Sequence, residues 1–357
     1  MTALHDDAGL QALLEEGLRA VETSLARHLA DDSQVISEVT NHLSAAGGKR
    51  MRPALTLLVA QIGAPGVVAS AEVVEAAVSV EMTHLATLYH DDVMDGAVLR
   101  RGRPAVQEQW ANSVAIMAGD IIFARASRIV AGLGPDAVAN HATTFERLCV
   151  GQLQEFFGPA DGADKVAHYL DVLAGKTGSL VACAAQYGAE LSGCSAQVVE
   201  AVKLFGEKIG VAFQLADDVL DLQSSGEVSG KVQGTDLREG VETMPVLLLE
   251  RWVEGVGVGG AGAAGLGAEG ASGEGQGSEE SVLVLLSDLK RIKEFPEDEE
   301  LIASVVERLA AHPVVDETRE MARQYMVQAV DALDPVPDGP AKDALVAFAE
   351  AQINRMH

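Results

Sequence analysis

Residues 81–95 read EMTHLATLYHDDVMD and residues 213–221 read FQLADDVLD. Each places a D-D-x-x-D cluster inside an apolar helical pattern, as Asp91-Asp92-Val93-Met94-Asp95 and Asp217-Asp218-Val219-Leu220-Asp221. Positions i and i+4 of a helix share a face, so Asp91 stands over Asp95 and Asp217 over Asp221. Each cluster is then a carboxylate claw. Like charges about 4 Å apart repel by roughly 4 kcal/mol at an effective dielectric of about 20, so a claw calls for a cation. Oxygen-only ligands suit Mg²⁺, which keeps several waters and completes its shell with substrate phosphates. Two solvated acidic helix faces are the plain alternative in a chain with 53 acidic residues. The neighbours argue against it: Leu85, Leu88, Val93 and Met94 flank the first claw, and Val211, Phe213, Leu215, Val219 and Leu220 the second. Acids set into apolar helices point to a lined cavity.

The 357 residues, 48% of them hydrophobic, are enough for a sizeable core. We expect a single domain over residues 1–357. A net charge of −27 with only 26 Lys plus Arg excludes nucleic acid as a partner, since phosphate-backbone affinity rests on basic side chains. Cys149, Cys183 and Cys194 form no C-x-x-C pair and read as core filler in a reduced compartment. The first nine residues lack a basic region followed by an apolar stretch, and no run of about 18 apolar residues occurs. The expectation is a cytoplasmic protein without a transmembrane segment.

Apolar spacings of three and four recur from Leu10 to Ala30, with a break and cap at Asp31-Asp32-Ser33. Comparable patterns cover 53–62, 70–94, 105–133, 137–157, 164–190, 196–223, 243–253, 282–292, 298–311, 315–333 and 339–355, and no hairpin is expected. With 4% aromatic residues, this predicts an all-α bundle around a central cavity. Residues 254–280 hold 11 of the 36 glycines. Such a segment has little apolar surface to bury, so a disordered insertion joining two helices is expected there.

Two basic turns stand out in so acidic a chain. Gly47-Gly48-Lys49-Arg50-Met51-Arg52-Pro53 offers a pliant backbone and three cations, and Arg100-Arg101-Gly102-Arg103-Pro104 follows the first claw directly. Both read as anion cradles. His84 lies two turns before Asp91 on the same helix face and can add a hydrogen bond to a bound anion; the ordinary reading is a satisfied core histidine. Lys176-Thr177, flanked by Gly175 and Gly178, reads either as an ammonium at a helix break or as a buried kink.

These residues resemble the trans-polyprenyl diphosphate synthases of the class I isoprenoid synthase fold. The resemblance runs through GGKRMRP, EMTHLATLYHDDVMD, LRRGRP, GDIIFARA, GKTGSL, FQLADDVLD, GKVQGTDL and AHPVVDETREMARQYMVQAVDAL. It implies an isoprenoid-synthase-like helical bundle with Asp91, Asp95 and Asp217 as Mg²⁺ ligands, three ions per active site, supported by Asp92, Asp218 and Asp221. Lys49, Arg52, His84 and Arg101 would hold isopentenyl diphosphate. Arg100, Lys176, Thr177, Gln214 and Lys231 would contact an allylic diphosphate, whether geranyl, farnesyl or geranylgeranyl. A homodimer is implied, and transient membrane association during product release is compatible with it. The family often has D-L-x-x-G-K-x-T-x-P after the second claw; here Val241 takes the lysine position in Asp236-Leu237-Arg238-Glu239-Gly240-Val241-Glu242-Thr243-Met244-Pro245, with Arg238 as a candidate replacement.

The implied chemistry is ionisation of the allylic C–O bond in a dry cavity, attack by the double bond of isopentenyl diphosphate, and loss of a proton to the released diphosphate. Catalytic weight then falls on Asp91, Asp92, Asp95, Lys176, Asp217, Asp218 and Asp221. Product length is read from the positions one and two turns before Asp91, which hold Thr87, Ala86 and Thr83. None is bulky, whereas relatives stopping at fifteen carbons usually carry aromatic rings at the first two. We therefore expect a product longer than twenty carbons, as in quinone side chains, shortened by Ala86→Phe. The alternatives are a shorter-chain synthase, a terpene cyclase of the same fold, a non-catalytic subunit, and a structural scaffold. The second D-D-x-x-D speaks against the cyclase, and two intact claws against the last two.

Overall fold

A computed structural model describes residues 7–223, 233–257 and 279–354. The described residues form helices throughout, apart from one pair of two-residue strands. In chain order the helices are α1 Ala8–Leu29, α2 Gln34–Ala45, α3 Met51–Gly63, α4 Ala71–Met94, α5 Val106–Gln109, α6 Asn112–Ala131, α7 Pro135–Phe157, α8 Lys165–Leu173, α9 Ser179–Leu191, α10 Ala196–Gln223, α11 Thr235–Arg238, α12 Met244–Gly257, α13 Glu279–Glu294, α14 Glu299–Ala310, α15 Pro313–Ala332 and α16 Pro340–Ile353. The all-α expectation holds. Of the insertion expected at 254–280, residues 258–278 lie outside the described residues, as does Lys231, whereas 254–257 complete α12 and 279–280 open α13, so the flanking helices reach further than the glycine content suggested.

Taken over the described residues, the chain divides into two compact units. One comprises Met1–Leu153, Leu173–Gly210 and Met326–Ala351, the other Gln154–Val172, Val211–Tyr325 and Gln352–His357. The first is organised on α4, which is apolar nearly all round and packs against α1, α3, α6 and α9, as a buried central helix must. Its start is capped by Ser70, whose hydroxyl accepts from the Val73 N–H. α3 and α9 approach closely because Gly188 has no Cβ; one there would collide with the Thr56 carbonyl. Thr56 Oγ1 donates to the Ala184 carbonyl at 2.9 Å across the same contact. α1 buries Leu10, Leu14, Val21, Leu25 and Leu29, and its N-terminal amides are satisfied by Asp7 Oδ1.

In the second unit α14 buries Ile302, Val305, Val306 and Leu309, a 3,4 spacing that makes one apolar stripe. α12 contributes buried Val246, Leu247, Leu248 and Leu249, and α13 Val282, Leu285, Leu289 and Ile292. Lys165 with Glu250 at 2.8 Å and Lys293 with Glu242 at 2.6 Å tie surface positions together.

Three local departures from the sequence reading have physical causes. A hairpin does occur, Leu99–Arg100 against Arg103–Pro104, because Arg101 and Gly102 both take positive φ, 53° and 73°, the tight-turn geometry that a two-residue hairpin needs. The pattern over 105–133 is broken at Trp110 and Ala111, whose backbone leaves the helical region between α5 and α6. The pattern over 164–190 contains a π-helical turn at Ala174–Gly178, where one extra residue is accommodated without ending the helix. Gly175 there abuts Gly151 and the Arg147 carbonyl, while Gly178 abuts Gly210 and Glu207.

Candidate active site

The first claw sits on the last turn of α4. The Asp95 N–H donates to the Asp91 carbonyl at 2.8 Å, so the helix runs through the motif and the i, i+4 pairing of Asp91 with Asp95 is real. Asp95 is the C-cap; it is exposed, Asp91 is half-buried, and Asp92 is fully buried. Arg100 Nε donates to Asp92 Oδ1 at 2.5 Å, while Asp92 Oδ2 is buried without a hydrogen-bond partner. Burial pushes the Asp92 carboxyl upward, opposed by the charge and hydrogen bond of Arg100. The turn beyond the claw is stapled by Gln107, whose Nε2 donates to the carbonyls of Asp92 and Ala97 at 2.8 and 2.7 Å.

The second claw lies on the last turns of α10. Asp218 is buried at 4% exposure, accepts from the Tyr169 hydroxyl at 3.0 and 3.1 Å and from the Met244 N–H at 3.2 Å. Burial pushes its carboxyl up to about 8, opposed first by the Met244 N–H. Asp221 accepts from the Thr235 and Asp236 amides at 3.1 and 3.3 Å, so it receives the N-terminus of α11. Asp217 is half-buried, as is Gln214 one turn earlier.

The donors of both claws are carboxylate oxygens. Among the described residues no three His, Cys, Asp or Glu side chains converge into a ligand cage. A paired carboxylate of this kind fits a hard divalent cation that takes its remaining ligands from water and phosphate. Asp91 with Asp95, one turn apart at the end of α4, makes such a pair, and the intervening Asp92 keeps a buried Oδ2 with no hydrogen-bond partner.

The two basic turns meet in the first unit. Arg101 Nη1 donates to the carbonyls of Leu43, at 3.1 Å, and Gly47, and a Cβ on Gly48 would stand 3.0 Å from Arg50 Nη1 and 3.2 Å from Arg101 Cζ. The cradle expectation needs one correction. Arg50, at the left-handed N-cap of α3, points inward and is used up in ion pairs with Glu22 at 2.5 Å and Glu81 at 2.8 Å. Lys49 is exposed, and Arg52 has a buried Nε without a partner. Burial lowers the Arg52 guanidinium, with Arg101 adding to the effect and Glu81 opposing it. His84 is held well below the ordinary histidine range by burial and then by Arg52, Arg101, Arg100 and Arg50. The imidazole is therefore neutral, amid cations whose mutual repulsion a bound anion would relieve.

A cavity of about 510 Å³ opens beside the first claw, lined by Thr87 and Asp91 of α4, Ile116 and Asp120 of α6, Phe145, Leu148 and Cys149 of α7, and Lys176 of the π-helical turn. Lys176 and Asp91 thus share one pocket, while Thr177 is half-buried beside it in sequence. Of the three positions expected to set product length, Thr87 lines this cavity, whereas Thr83 and Ala86 are each 1% exposed. Cys149 is exposed and on the cavity wall, which corrects its reading as core filler; Cys183 is buried. Arg238, offered in place of the lysine missing at Val241, pairs with Glu299 at 2.6 Å.

A polyprenyl synthetase family profile matches residues 33–251. The chain belongs to that family. It is a prenyltransferase, and it is similar over nearly its whole length to other prenyl diphosphate synthases. It is 40% identical to the nonaprenyl diphosphate synthase of Mycobacterium tuberculosis (strain ATCC 25618 / H37Rv) over 98% of this chain and 95% of that one. Among solved structures it matches a polyprenyl synthase from Caulobacter crescentus CB15, complexed with calcium and isoprenyl diphosphate, with a TM-score of 0.81, 28% identity and 98% of each chain covered. It also matches a geranylgeranyl pyrophosphate synthase from Corynebacterium glutamicum, complexed with calcium and isoprenyl diphosphate, with a TM-score of 0.78, 36% identity and 98% of each chain covered.

Sequence reasoning missed Glu81, Gln107 and Tyr169. Glu81 carries a signal, a lone acid within the apolar run of α4, since a buried carboxylate needs a partner. Gln107 and Tyr169 carry none, because their roles depend on how distant segments fold back.

Proposed function

We propose that the chain condenses isopentenyl diphosphate with an allylic diphosphate in trans, head to tail, as one functional domain, and releases a product longer than twenty carbons. The carrying observation is the cavity of about 510 Å³ that Asp91 and Lys176 line together with Ile116, Phe145, Leu148 and Leu153, a place for a growing chain beside the claw. Asp91, Asp95 and Asp217 are the Mg²⁺ ligands, with three ions per site. Bound Mg²⁺ supplies charge stabilisation for the departing diphosphate. Asp92, Asp218 and Asp221 hold their segments in place through Arg100, Tyr169 and the start of α11. Lys49, Arg52, Arg101 and neutral His84 take isopentenyl diphosphate; Arg100, Lys176, Thr177, Gln214 and Lys231 take the allylic partner.

Likeness to the nonaprenyl diphosphate synthase supports a long product. Likeness to the corynebacterial geranylgeranyl pyrophosphate synthase favours the second reading, a shorter-chain synthase. A homodimer and a cytoplasmic location complete the proposal; among the described residues no helix is long and apolar enough to cross a membrane. Incubating the purified chain with radiolabelled isopentenyl diphosphate, farnesyl diphosphate and Mg²⁺ tests it. Chromatography should show diphosphates beyond twenty carbons. A ladder ending at twenty supports the second reading, and a cyclic hydrocarbon or no consumption of isopentenyl diphosphate refutes both.

A further inference from the structure

We infer that Glu81 is a positioning residue for the basic cradle: its carboxylate is the buried counter-charge that assembles Arg50, Arg52 and Arg101 before substrate arrives, and so sets affinity for isopentenyl diphosphate. This rests on the proposed reading of the two basic turns as the site for that substrate. Glu81 lies on α4, 2% exposed, three residues before His84. Its oxygen takes Arg50 Nη1 at 2.8 Å. Arg50 is clamped from its other edge by Glu22, at 2.5 and 3.3 Å, and reaches the Ser44 carbonyl at 3.4 Å, so it serves as a strut, each of its three nitrogens donating to the protein. The strut fixes Gly48, against which both Arg50 and Arg101 lie, and Arg101 in turn grips the Gly47 carbonyl. Glu81 also opposes the burial that weakens Arg52 and Arg101. Arg52 Nε remains buried with no acceptor in the protein, a donor left over for a ligand.

Two consequences of removing Glu81 oppose each other in sign. If the carboxylate acted only through its charge, Glu81→Gln would make the cradle more positive and bind anions more tightly. If it acts by position, the guanidiniums spread and binding weakens. The test uses the full chain and compares Glu81→Gln, Glu81→Asp and Arg101→Gln with wild type. It reads KM for each substrate, kcat, melting temperature, and calorimetric binding of isopentenyl diphosphate and inorganic pyrophosphate. Glu81→Gln should raise KM and Kd for isopentenyl diphosphate roughly ten- to a hundred-fold, the scale of one lost hydrogen bond to a charged group, with kcat at saturation and the allylic KM largely preserved. Glu81→Asp should fall between Glu81→Gln and wild type. Unchanged or tighter binding in Glu81→Gln, alongside weakened binding in Arg101→Gln, overturns the inference and leaves the site reading intact. Unchanged binding in Arg101→Gln overturns the site reading itself. Should Glu81→Gln not fold, wild-type affinity in folded Glu81→Asp overturns the inference.

Discussion

Replacing Arg100 by Gln isolates the energetics of the first claw. Arg100 Nε stands 2.5 Å from Asp92 Oδ1; the arginine side chain is 30% exposed and the aspartate fully buried. Removing one partner of a buried pair costs about 3–5 kcal/mol. Water reaching the exposed part of Arg100 brings the expected loss down to about 2–3 kcal/mol. For a chain of 357 residues, at about 2.1 cal/mol/K per residue, that lowers the melting temperature by about 3–4 °C. Asp92 is already pushed upward by burial, and Arg100 opposes this most, with a smaller contribution from Arg101. Without Arg100 the carboxyl rises further, so the deficit should shrink on acidification as Asp92 takes up a proton. The assay is a thermal and urea series on wild type, Arg100→Gln, Asp92→Asn and the double variant, with metal chelated. In the Asp92→Asn background the amide carries no charge to strand, and Arg100→Gln should cost much less there. If the two single losses add to within about 0.5 kcal/mol in the double variant, the sites are uncoupled and the reasoning is refuted.

Other perturbations follow from the same geometry. Thr87→Phe places a ring in the cavity beside Asp91 and should shorten the product seen by chromatography, while Ala86→Phe, at a position 1% exposed, should also cost about 1–3 kcal/mol through overpacking; an unchanged product distribution in both variants would count against this cavity as the path of the chain. In metal-free protein, Asp218 titrates near about 8 in the folded state, against about 4 when unfolded. The folded chain therefore holds the extra proton between those values, so this carboxyl's contribution is fully present below the unfolded value. It is lost, by up to about 1.4 kcal/mol per pH unit, as pH rises toward the folded one. Asp218→Asn cannot titrate and should show a flatter stability profile between pH 5 and 7.5 in urea titrations; equal slopes would contradict the assignment. Gly188→Ala drives a methyl into the Thr56 carbonyl and should destabilise by about 1–3 kcal/mol or more, read as a shift in urea midpoint without a change in slope.

The helical architecture was legible because apolar period and length speak for themselves: α4, α10 and α14 lie where the 3,4 spacing put them. The hairpin at Leu99–Pro104 was not, since two residues per strand leave no alternation to read and Arg101 at positive φ is an uncommon choice for such a turn. The irregularity at Lys176 was legible as a break from Gly175 and Gly178, but its form, a π-helical turn rather than an interruption, depends on which helices press against those glycines. Sequence grouped Lys49, Arg50 and Arg52 as three equivalent cations. Only folding separates them, because Glu81 is thirty-one residues away from Arg50 and nothing local says which guanidinium will turn toward it.

The same sorting explains why a D-D-x-x-D motif has two kinds of aspartate. Each step along a helix turns the side chain by about 100°. If the first and fifth positions face the ligand, the second is rotated away from it, and on an otherwise apolar helix it is driven inward. Asp92, fully buried, and Asp218, at 4%, are those second positions, whereas Asp95 is exposed. An inward carboxylate must be held or it will destabilise the fold, and the two claws solve this with unrelated partners: a guanidinium from the following turn at Asp92, a phenol and a backbone amide at Asp218. The motif therefore prescribes the burial of its second acid but leaves the partner open, so a substitution at Arg100, just outside the first motif, or at Tyr169, forty-nine residues from Asp218, acts on the claw as directly as one within it.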